Sequence, residues 1–397
     1  MGDIKKPILK ITFLGLASID GPGTGGAARV KDMVKIFNNL GIAVDLISYA
    51  FYSNKFKIEK KQVSPSLSVI TIHVPEKLPK FLKFFSIVPL LYYGYKSSKR
   101  TDAIFADYIA VVTSFPAFLL KKINRKILLL DLMDVSSDNW IDIFHKFNIG
   151  ESADIVYAIS PFLFNKAKNE YHCKNVVYLP IFIDPNQFSR NSACRIMMRE
   201  RLEIQDNVIL IGYIGSYWYV EGVPILIDVF NELAEEHRNI RLLLMGKMDN
   251  SSSFDNIPEI ITKSKVKERI ILIPPQPREK VPDFLSACDI LCSPKIDCEI
   301  NAAANPVKIV EYLASGIPTV ASGIGGTKDI ITHGMDGLLV KPGDKIDLKE
   351  MIEWLLTNQD EAKIIGQKGI QTIIQKYSYD SVGKIIQNSL AECDNLE

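Results

Sequence analysis

The sequence predicts an α/β protein of two doubly wound domains with parallel sheets. Three observations favour this class: a length of 397 residues, a composition of 47% apolar and 23% charged residues, and short apolar segments that alternate with helical or loop segments. At roughly 100 to 200 residues per domain, the length predicts two domains, each long enough to bury a core. The composition is typical of a folded globular protein and argues against long disordered segments.

The first domain opens with a predicted β-α-β unit. A strand over 8–14 is followed by a glycine-rich loop and by a helix whose apolar residues, from Ala27 to Leu40, recur at three- and four-residue steps. Gly41 ends this helix, and the strand AVDLISYA follows directly. Such a unit predicts parallel pairing with right-handed crossovers. Further buried strands are predicted in the segments VITIHV, AIFADY, KILLLDLMD, IVYAIS and NVVYLP.

The alternation pauses at IFIDPNQFSRNSACRIMMRE, where Pro and Asn residues leave no clean period. We therefore predict a domain boundary near residue 188, with an N-terminal domain over 1–188 and a second domain over 189–375. The second domain resumes the alternation through strands such as NVILIGYIG, IRLLLMG and DILCSP. Residues 376–397 are predicted to form a C-terminal helix, and packing of that helix back on the N-terminal domain is one open alternative.

Charge and cysteine content exclude several classes of partner. There are 47 Lys and Arg against 46 Asp and Glu, a net charge of +1, so the chain has no overall field to hold nucleic acid and no nucleic-acid partner is predicted. Six Cys are too few for a disulfide scaffold, and the spacing of Cys288, Cys292 and Cys298 matches no paired zinc pattern. Lys10 splits the apolar N-terminal stretch and no cleavage site follows, so we expect no signal peptide and a cytoplasmic location.

Residues 77–100 contain six basic residues, six aromatic residues and no acid. Lys83, Pro89 and Gly94 interrupt any apolar run near the ~20 residues that span a bilayer, so we expect no membrane crossing. Two alternatives remain open for this segment. It lies on an anionic membrane surface, which would make the protein peripheral, or it is a buried helix with solvated lysines.

The glycine-rich segment GPGTGG, residues 21–26, formally matches the dinucleotide-binding pattern G-x-G-x-x-G. Its first glycine does not directly follow the predicted strand, and Asp45 lies inside the second strand rather than at its end, so an NAD site is disfavoured. Gly25 and Gly26 still allow close approach of a backbone to a ligand, and the following helix offers free N–H groups to phosphate. The alternative is a flexible surface loop.

Residues 305–344, NPVKIVEYLASGIPTVASGIGGTKDIITHGMDGLLVKPGD, carry the richest pattern. Lys308 and Glu311 are three residues apart and share one face of the first turn of a predicted helix. A helix N-terminus with a nearby ammonium suits a diphosphate, and a carboxylate on that face can accept hydrogen bonds from ribose hydroxyls. Taken alone, the two residues are equally typical of an ordinary salt-bridged helix pair.

Taken together, these segments resemble the retaining nucleotide-sugar glycosyltransferases of the GT-B fold, family 4 (glycosyl transferases group 1) in particular. GGAARV...LGIAVDLIS is similar to that family's first glycine loop and helix, LPIFIDPNQF to its interdomain segment, and IGYIGSYWYVEGV to the opening strand of its donor domain. EYLASGIPTVASGIGGTKDII...GMDGLLVKPGD is similar to its most specific signature. The resemblance implies two Rossmann-like domains facing each other across a cleft, with transfer from a nucleoside-diphosphate sugar and retention at the anomeric carbon.

The resemblance also implies donor-binding residues. Glu311 matches the signature's second Glu, which holds the donor ribose, and Gly25 with Gly26 match the glycine loop that meets the diphosphate. Asn305 and Val307 stand at the helix start, where backbone N–H groups meet the diphosphate; the proline between them has no N–H to give. The donor is a substrate, and the resemblance implies no separate cofactor.

Three departures from the family pattern lie in the donor domain. Ser216 and Glu221 stand where the family usually has Arg and Lys, and Ala303 stands where the first Glu of the signature belongs. The loss of two cations should weaken stabilisation of a diphosphate leaving group. We expect Lys308 to supply part of that charge as a catalytic residue, and Ser216 is kept as a donor-binding candidate. The departures leave open a non-catalytic nucleotide-sugar-binding protein or a GT-B sugar epimerase.

In the first domain, DLMDVSSDNW places Asp131 and Asp134 at the end of a predicted strand. Asp134 looks like the family's acidic position near the acceptor, so we predict that it positions or deprotonates the acceptor hydroxyl. The alternative role for Asp134 is a helix N-cap. The acceptor implied by the resemblance is a glycan, a lipid-linked molecule or a small molecule, and no metal is implied because no D-x-D cluster stands at the expected diphosphate position.

Overall fold

The computed structural model describes residues 9–20, 25–79, 84–108, 111–133, 148–247 and 254–393. The chain divides into two compact units, Met1–Pro180 with Val382–Glu397, and Ile181–Ser381. The first unit thus ends at Pro180, upstream of the boundary predicted near residue 188, and the end of the chain returns to it. Each unit has its own sheet.

The sheet of the first unit has eight strands among the described residues, in the order β3-β4-β2-β1-β5-β6-β7-β8. The strands are β1 (Lys10–Gly15), β2 (Ala43–Ser53), β3 (Lys57–Ser64), β4 (Leu67–Pro75), β5 (Ala103–Asp107), β6 (Ile127–Leu132), β7 (Ile155–Ala158) and β8 (Val176–Tyr178). Seven of them run parallel, and β3 pairs antiparallel with β4 at the edge. The sequence pattern did not predict β3. Nearly all its side chains are exposed, so the strand has no buried face to give an alternation of apolar and polar residues.

Helices cover this sheet. They are α1 (Gly25–Asn39), α2 (Ile87–Ser98), α3 (Val111–Asn124), α4 (Ile149–Ser152) and α5 (Pro161–Asn169), with one 3₁₀ turn, Phe84–Ser86, before α2. The packing of α1 is anchored by aromatic rings: Phe13 of β1 and Phe37 of α1 both meet Phe105 of β5 edge to face, with ring centroids 4.7 and 5.2 Å apart. Such contacts bury large apolar area with a specific geometry, which fixes α1 against the centre of the sheet.

The sheet of the second unit has six described strands, all parallel, in the order β11-β10-β9-β12-β13-β14. They are β9 (Ile209–Ile214), β10 (Ile240–Met245), β11 (Ile270–Ile273), β12 (Ile290–Ser293), β13 (Thr319–Ser322) and β14 (Leu338–Val340). This is the 3-2-1-4-5-6 order of a doubly wound sheet, with its switch point between β9 and β12. The prediction of two α/β domains with parallel sheets is confirmed.

The helices of the second unit begin inside the segment predicted to be irregular. They are α6 (Pro185–Phe188), α7 (Ser192–Arg201), α8 (Val223–Glu236), α9 (Ile257–Thr262), α10 (Val281–Ala287), α11 (Glu299–Ala303), α12 (Val307–Ala314), α13 (Thr327–Ile330), α14 (Lys345–Thr357) and α15 (Gln359–Lys376). The side chains of Asp184 and Asn191 cap α6 and α7. The same residue types that suggest turns in the sequence are therefore used as N-caps.

The last helix, α16 (Tyr379–Cys393), carries the chain back to the first unit. Within that unit, the hydroxyls of Ser389 and Tyr157 of β7 lie 2.8 Å apart, and both side chains are buried. The C-terminal segment from Val382 therefore shares the core of the first unit.

Within the described parts of the chain, none of the helices is both long and apolar enough to cross a bilayer. Helix α2 belongs to the segment 77–100, whose residues 80–83 lie outside the described residues. One face of α2 is buried through Ile87, Leu90 and Gly94. The opposite face is exposed: the exposed fractions of Val88 and Tyr92 are 63% and 51%. The helix is thus neither fully buried nor fully solvated.

Candidate functional site

The start of α12 lies near the switch point of the second sheet, where ligands of doubly wound domains bind. The helix begins at Val307, and Pro306 at the N-cap position provides no side-chain hydrogen bond. The first-turn N–H groups of a helix have no partner within the helix, and they carry its positive dipole end. Asn305, Val307 and Lys308 are half-buried here, so the helix start borders solvent.

The glycine pair after β13 supports this helix start. Gly325 has φ +55°, and a Cβ added there would lie 2.2 Å from the carbonyl oxygen of Asn301. A Cβ on Gly326 would lie 2.6 Å from Oδ1 of Asn305. Because neither position has room for a side chain, the two glycines let their loop pack directly on the segment that leads into α12.

The ammonium group of Lys308 is held by Glu221, a contact that the sequence analysis missed. Lys308 Nζ donates to Glu221 Oε2 at 2.6 Å and to the Tyr213 hydroxyl at 3.0 Å. Lys295, which follows β12, donates to Glu221 Oε1 at 3.2 Å and to Asn301 Oδ1 at 2.8 Å. Two lysines thus share one carboxylate, and the cluster of Glu221, Lys295 and Lys308 carries a net charge of +1.

Burial and ion pairing together set the pKa values of Glu221 and Lys308. Burial raises the pKa of Glu221, but the ion pairs with Lys308 and Lys295 outweigh it and hold that pKa below its ordinary value. Burial lowers the pKa of Lys308, and the Glu221 carboxylate opposes that change. The side chains of Lys295, Glu221 and Lys308 are 6%, 9% and 14% exposed, so Lys308 retains the most access to a ligand.

Ser216 lies in the loop after β9, which borders this cluster. A Cβ added to Gly215 would lie 2.7 Å from Lys308 Nζ, so the ammonium packs against the loop backbone. The Tyr213 hydroxyl donates to the Ser216 carbonyl at 2.6 Å and fixes the loop path. Gly222, with φ +67°, ends the loop and begins α8. The Tyr213 hydroxyl therefore contacts both Ser216 and Lys308, which lie close together.

Glu311 lies one turn further along α12, and its carboxylate is paired with Arg278. Arg278 Nη2 and Nε lie 3.1 and 3.2 Å from Glu311 Oε1. Arg278 belongs to a 3₁₀ turn, Arg278–Lys280, between β11 and α10, and its guanidinium lies over the Phe188 ring at 5.8 Å. Arg278 does not stand out in the sequence, because its partner is 33 residues away in the chain. Glu311 is 13% exposed, so a ligand hydroxyl can still reach it.

In the first unit, Asp131 is occupied by Arg29 rather than presented to a ligand. Arg29 Nε and Nη2 donate to Oδ2 and Oδ1 of Asp131, each at 3.0 Å, and Nη1 donates to the Pro180 carbonyl at 3.3 Å. Both side chains are buried, at 7% and 1% exposure. This bidentate pair is a structural contact between α1 and β6. Asp134, the predicted acceptor residue, lies outside the described residues.

Asp107 is a buried carboxyl group that was not predicted from the sequence. It ends β5, next to β1 at the switch point of the first sheet, and its Oδ2 accepts a hydrogen bond from Leu16 N at 2.5 Å. Oδ1 has no hydrogen-bond partner among the described residues. Burial raises the pKa of Asp107 to about 7; the Leu16 N–H opposes this rise, and the Asp131 charge adds to it. The available signal in the sequence was its position, as a single acid at the end of the apolar run AIFAD.

The glycine loop is only partly described. Gly25 begins α1, and residues 21–24 lie outside the described residues. A Cβ added to Gly26 would meet no atom within 4 Å, so packing does not require glycine at this position. Asn305, Val307, Lys308, Glu311 and Ser216 are the predicted site residues that the structure brings together, in the second unit.

Part of the chain is similar to a known family of proteins. The family model described as Glycosyl transferases group 1 matches residues 195–372. The D-inositol 3-phosphate glycosyltransferase of Nocardia farcinica is 24% identical over 180 residues, which cover 44% of this chain and 39% of that protein. The chain spans about half the length of the curated relatives it matches.

Solved structures resemble the whole chain. Sucrose-phosphate synthase from Thermosynechococcus elongatus has a TM-score of 0.77 at 16% identity and covers 98% of this chain and 100% of its own. Anabaena HepE, solved in complex with UDP, has a TM-score of 0.73 at 19% identity, covering 96% of this chain and 100% of its own. At such identities the likeness shows the fold alone, and it confirms the predicted GT-B class.

Proposed function

We propose that this chain transfers a glycosyl unit from a nucleoside-diphosphate sugar to an acceptor, with retention at the anomeric carbon, because residues 195–372 match the family model described as Glycosyl transferases group 1. One observation supports this most: the start of α12 combines a helix N-terminus, the Lys308 ammonium and the Glu311 carboxylate within two turns. This combination matches the charges of a diphosphate and the hydroxyls of a ribose.

In the proposed complex, the donor diphosphate lies against the N–H groups at Asn305, Val307 and the first turn of α12. Lys308 supplies a cation beside them. As the sugar departs, negative charge develops on the diphosphate leaving group, and fixed N–H dipoles with a held ammonium stabilise that charge without reorganisation. Glu311 accepts hydrogen bonds from the ribose, and its present partner Arg278 stays close enough to counter its charge.

Glu221 is proposed as the positioning residue for Lys308. A lysine side chain has high rotational freedom, and fixing its ammonium costs entropy that the ion pair with Glu221 offsets before the donor binds. Lys295 supplies a second cation, which keeps the cluster positive after Glu221 is counted. Glu221, an acid where the family's loop has a cation, thus holds the ammonium groups of Lys295 and Lys308.

The roles of Asp134, Gly25 and Gly26 stay predictions. Asp134 is proposed near the acceptor hydroxyl, as a positioning group or base, and the two glycines near the diphosphate. The acceptor class proposed is a glycan, a lipid-linked molecule or a small molecule. The complexes of a protein with a similar fold support nucleotide-sugar chemistry, since HepE was solved with UDP-glucose as well as with UDP.

A non-catalytic nucleotide-sugar-binding protein is the second candidate, because Ala303 and Glu221 replace charged residues of the family pattern. Incubation of the full chain with radiolabelled UDP- and GDP-sugars, with and without candidate acceptors, separates the candidates. Release of free sugar or its transfer supports the transferase. Saturable binding with no turnover supports the binding protein, and formation of an epimer supports a GT-B epimerase.

We also propose that the segment 77–100 lies on an anionic membrane surface, which would place the protein peripherally on the inner face of the membrane. Phe85, Val88, Tyr92 and Tyr95 form an exposed apolar stripe on and just before α2. Lys96, Lys99 and Arg100 follow it, and no described residue forms a salt bridge with them. Aromatic bulk beside cations suits the headgroup region of a bilayer.

The membrane proposal has its own test. Replacement of Phe85, Val88 and Tyr92 by Ser should abolish sedimentation of the full chain with anionic vesicles, while substitution of the exposed Ile123, Phe162 and Leu9 by Ser leaves it unchanged. Equal sedimentation of wild type and the α2 variant contradicts the proposal.

A further inference from the structure

A cavity lies in the first unit, at the edge of the sheet opposite to the one that holds ligands in doubly wound domains. It has a volume of about 250 Å³ and is lined by residues of β2, β3, β4 and α2. Asp45 and Ser68 lie near the starts of β2 and β4, and Arg100 precedes β5. The cavity is therefore at the amino ends of the parallel strands.

Three cations line this cavity: Lys60 of the edge strand β3, Lys96 of α2 and Arg100. Among the described residues, no carboxylate forms a salt bridge with any of the three. Aromatic rings hold the two ammonium groups, since Lys60 Nζ lies 4.7 Å from the centroid of Tyr93 and Lys96 Nζ 4.3 Å from that of Tyr92. Such cation–π contacts place a charge without neutralising it.

The one acid in the lining does not serve these cations. Asp45 is paired with Lys10 at 2.9 Å, and it accepts hydrogen bonds from Ser68 at 2.6 Å and Ser97 at 2.9 Å. The oxygen atoms of Asp45 therefore already have partners in Lys10, Ser68 and Ser97. Three like charges around one small space repel one another unless an anion enters it.

We propose that this cavity binds a phosphate monoester, the headgroup of an anionic membrane lipid. The inference rests on the proposed membrane surface and names the lipid chemistry that this surface recognises. The cavity is smaller than the ~300–1,000 Å³ of sites for drug-sized ligands, which suits a phosphate group and excludes a whole nucleotide sugar. A phosphate monoester carries up to two negative charges and three acceptor oxygens, matching ammonium and guanidinium donors.

The position of the cavity supports a lipid source. The exposed stripe of α2, Phe85 to Tyr95, lies on the helix that also supplies Tyr93 and Lys96 to the lining. Edge strand β3, which supplies Lys60, carries the exposed apolar side chains Ile58 and Val63, and the exposed Phe56 directly precedes it. A headgroup in the cavity would therefore have apolar side chains next to it on both contributing elements.

The test uses the full chain and two sets of vesicles with equal surface charge, one containing phosphatidic acid and the other phosphatidylglycerol. Phosphatidic acid presents a phosphate monoester, whereas phosphatidylglycerol presents a diester with a single charge. Wild type should sediment with the phosphatidic acid vesicles at about tenfold lower lipid concentration. The variant Lys60→Gln, Lys96→Gln, Arg100→Gln should lose that preference.

The matched control removes three cations elsewhere in the same unit, by Lys31→Gln, Lys122→Gln and Lys174→Gln. These side chains are exposed and lie outside the cavity lining. The control should keep the preference for phosphatidic acid, and melting curves should show that both variants fold. A preference lost equally in the control means that overall charge acts and the cavity does not, which overturns the inference.

Other outcomes separate this inference from the proposals it rests on. Equal binding of wild type to both vesicle sets overturns the cavity inference and keeps the membrane surface. Binding to neither set overturns the membrane surface itself. Titration calorimetry with inorganic phosphate covers a soluble ligand: phosphate binding that the cavity variant loses, without any preference among vesicles, overturns the lipid assignment. Donor turnover measured in the same variants without lipid should equal that of wild type.

Discussion

Glu221 and Lys308 form an ion pair of 2.6 Å although they are 87 residues apart in the chain. The resemblance to the glycosyltransferase family implies a cation at the position of Glu221, and the Glu221 carboxylate also holds Lys295 at 3.2 Å. The substitution therefore reorganises the charge beside α12 without removing it. The proposed donor site depends on the half-buried Lys308 ammonium, which this ion pair holds at the start of α12.

Replacement of Lys308 by Met should weaken binding of UDP or GDP by about ten- to a hundredfold, since a hydrogen bond to a charged group contributes about 1.5 to 3 kcal/mol. Titration calorimetry measures the change. Lys345→Met is the matched control, because Lys345 forms an ion pair on the surface of the same unit. Equal affinities in wild type and Lys308→Met would remove Lys308 from the site.

Glu221→Gln should lower the free energy of unfolding by about 3 kcal/mol or more, because it leaves the buried Lys295 and the half-buried Lys308 without their carboxylate. Since the pKa of Glu221 is lowered in the folded state, its contribution is present above the ordinary value of 4.5 and is lost as pH falls through the lowered value. Urea unfolding followed by tryptophan fluorescence should show a large difference from wild type at pH 7 and a smaller one under acid conditions. Glu232→Gln, an exposed pair, should change stability by less than about 1 kcal/mol. A Glu221→Gln effect as small as this control contradicts the assignment.

Asp107→Asn should change how stability depends on pH. The folded protein holds the Asp107 proton up to a pKa of about 7, against an ordinary value of 3.8. Folded chains thus bind more protons than unfolded ones between these values, and the contribution of Asp107 to the free energy of unfolding falls as pH rises through this window. Thermal unfolding of wild type should therefore lose stability relative to Asp107→Asn from pH 4 to pH 7. A parallel pH dependence of the two proteins would refute this, and Asp20→Asn, an exposed site in the same unit, controls for net charge.

Glu311→Gln should weaken donor binding by roughly 1 to 3 kcal/mol through loss of a charged hydrogen-bond acceptor. It also leaves Arg278 without its carboxylate, so the melting temperature must be measured beside the affinity. Arg278→Gln separates the two effects, because it breaks the pair and keeps the carboxylate. Affinity lost in Glu311→Gln and kept in Arg278→Gln supports ribose binding by Glu311. Equal loss in both variants indicates a purely structural pair.

Sequence patterns predicted the two sheets because buried parallel strands are apolar runs bounded by turns, as in β9 and β10. Strand β3 escaped prediction because its side chains are nearly all exposed, and α6 and α7 escaped it because their capping residues also favour turns. The spacing of apolar residues along the chain predicts which helices and strands form. It says little about the contacts between elements that are distant in the chain.

The candidate site was predicted where its residues are neighbours in the chain, as Asn305, Val307, Lys308 and Glu311 are. Their ion-pair partners are distant in the chain. Glu221 is 87 residues from Lys308, and Arg278 is 33 residues from Glu311. Lysine and arginine are common on surfaces, so neither Lys295 nor Arg278 stands out in the sequence. Only packing shows that they are held against carboxylates.

A crystal structure of the full chain soaked with UDP or GDP would show where the donor diphosphate and ribose bind. We expect diphosphate oxygens within hydrogen-bonding distance of the Val307 N–H and of Lys308 Nζ, with ribose hydroxyls on the Glu311 carboxylate. A nucleotide bound at any other place, or a saturating soak that leaves the start of α12 without nucleotide, would contradict it.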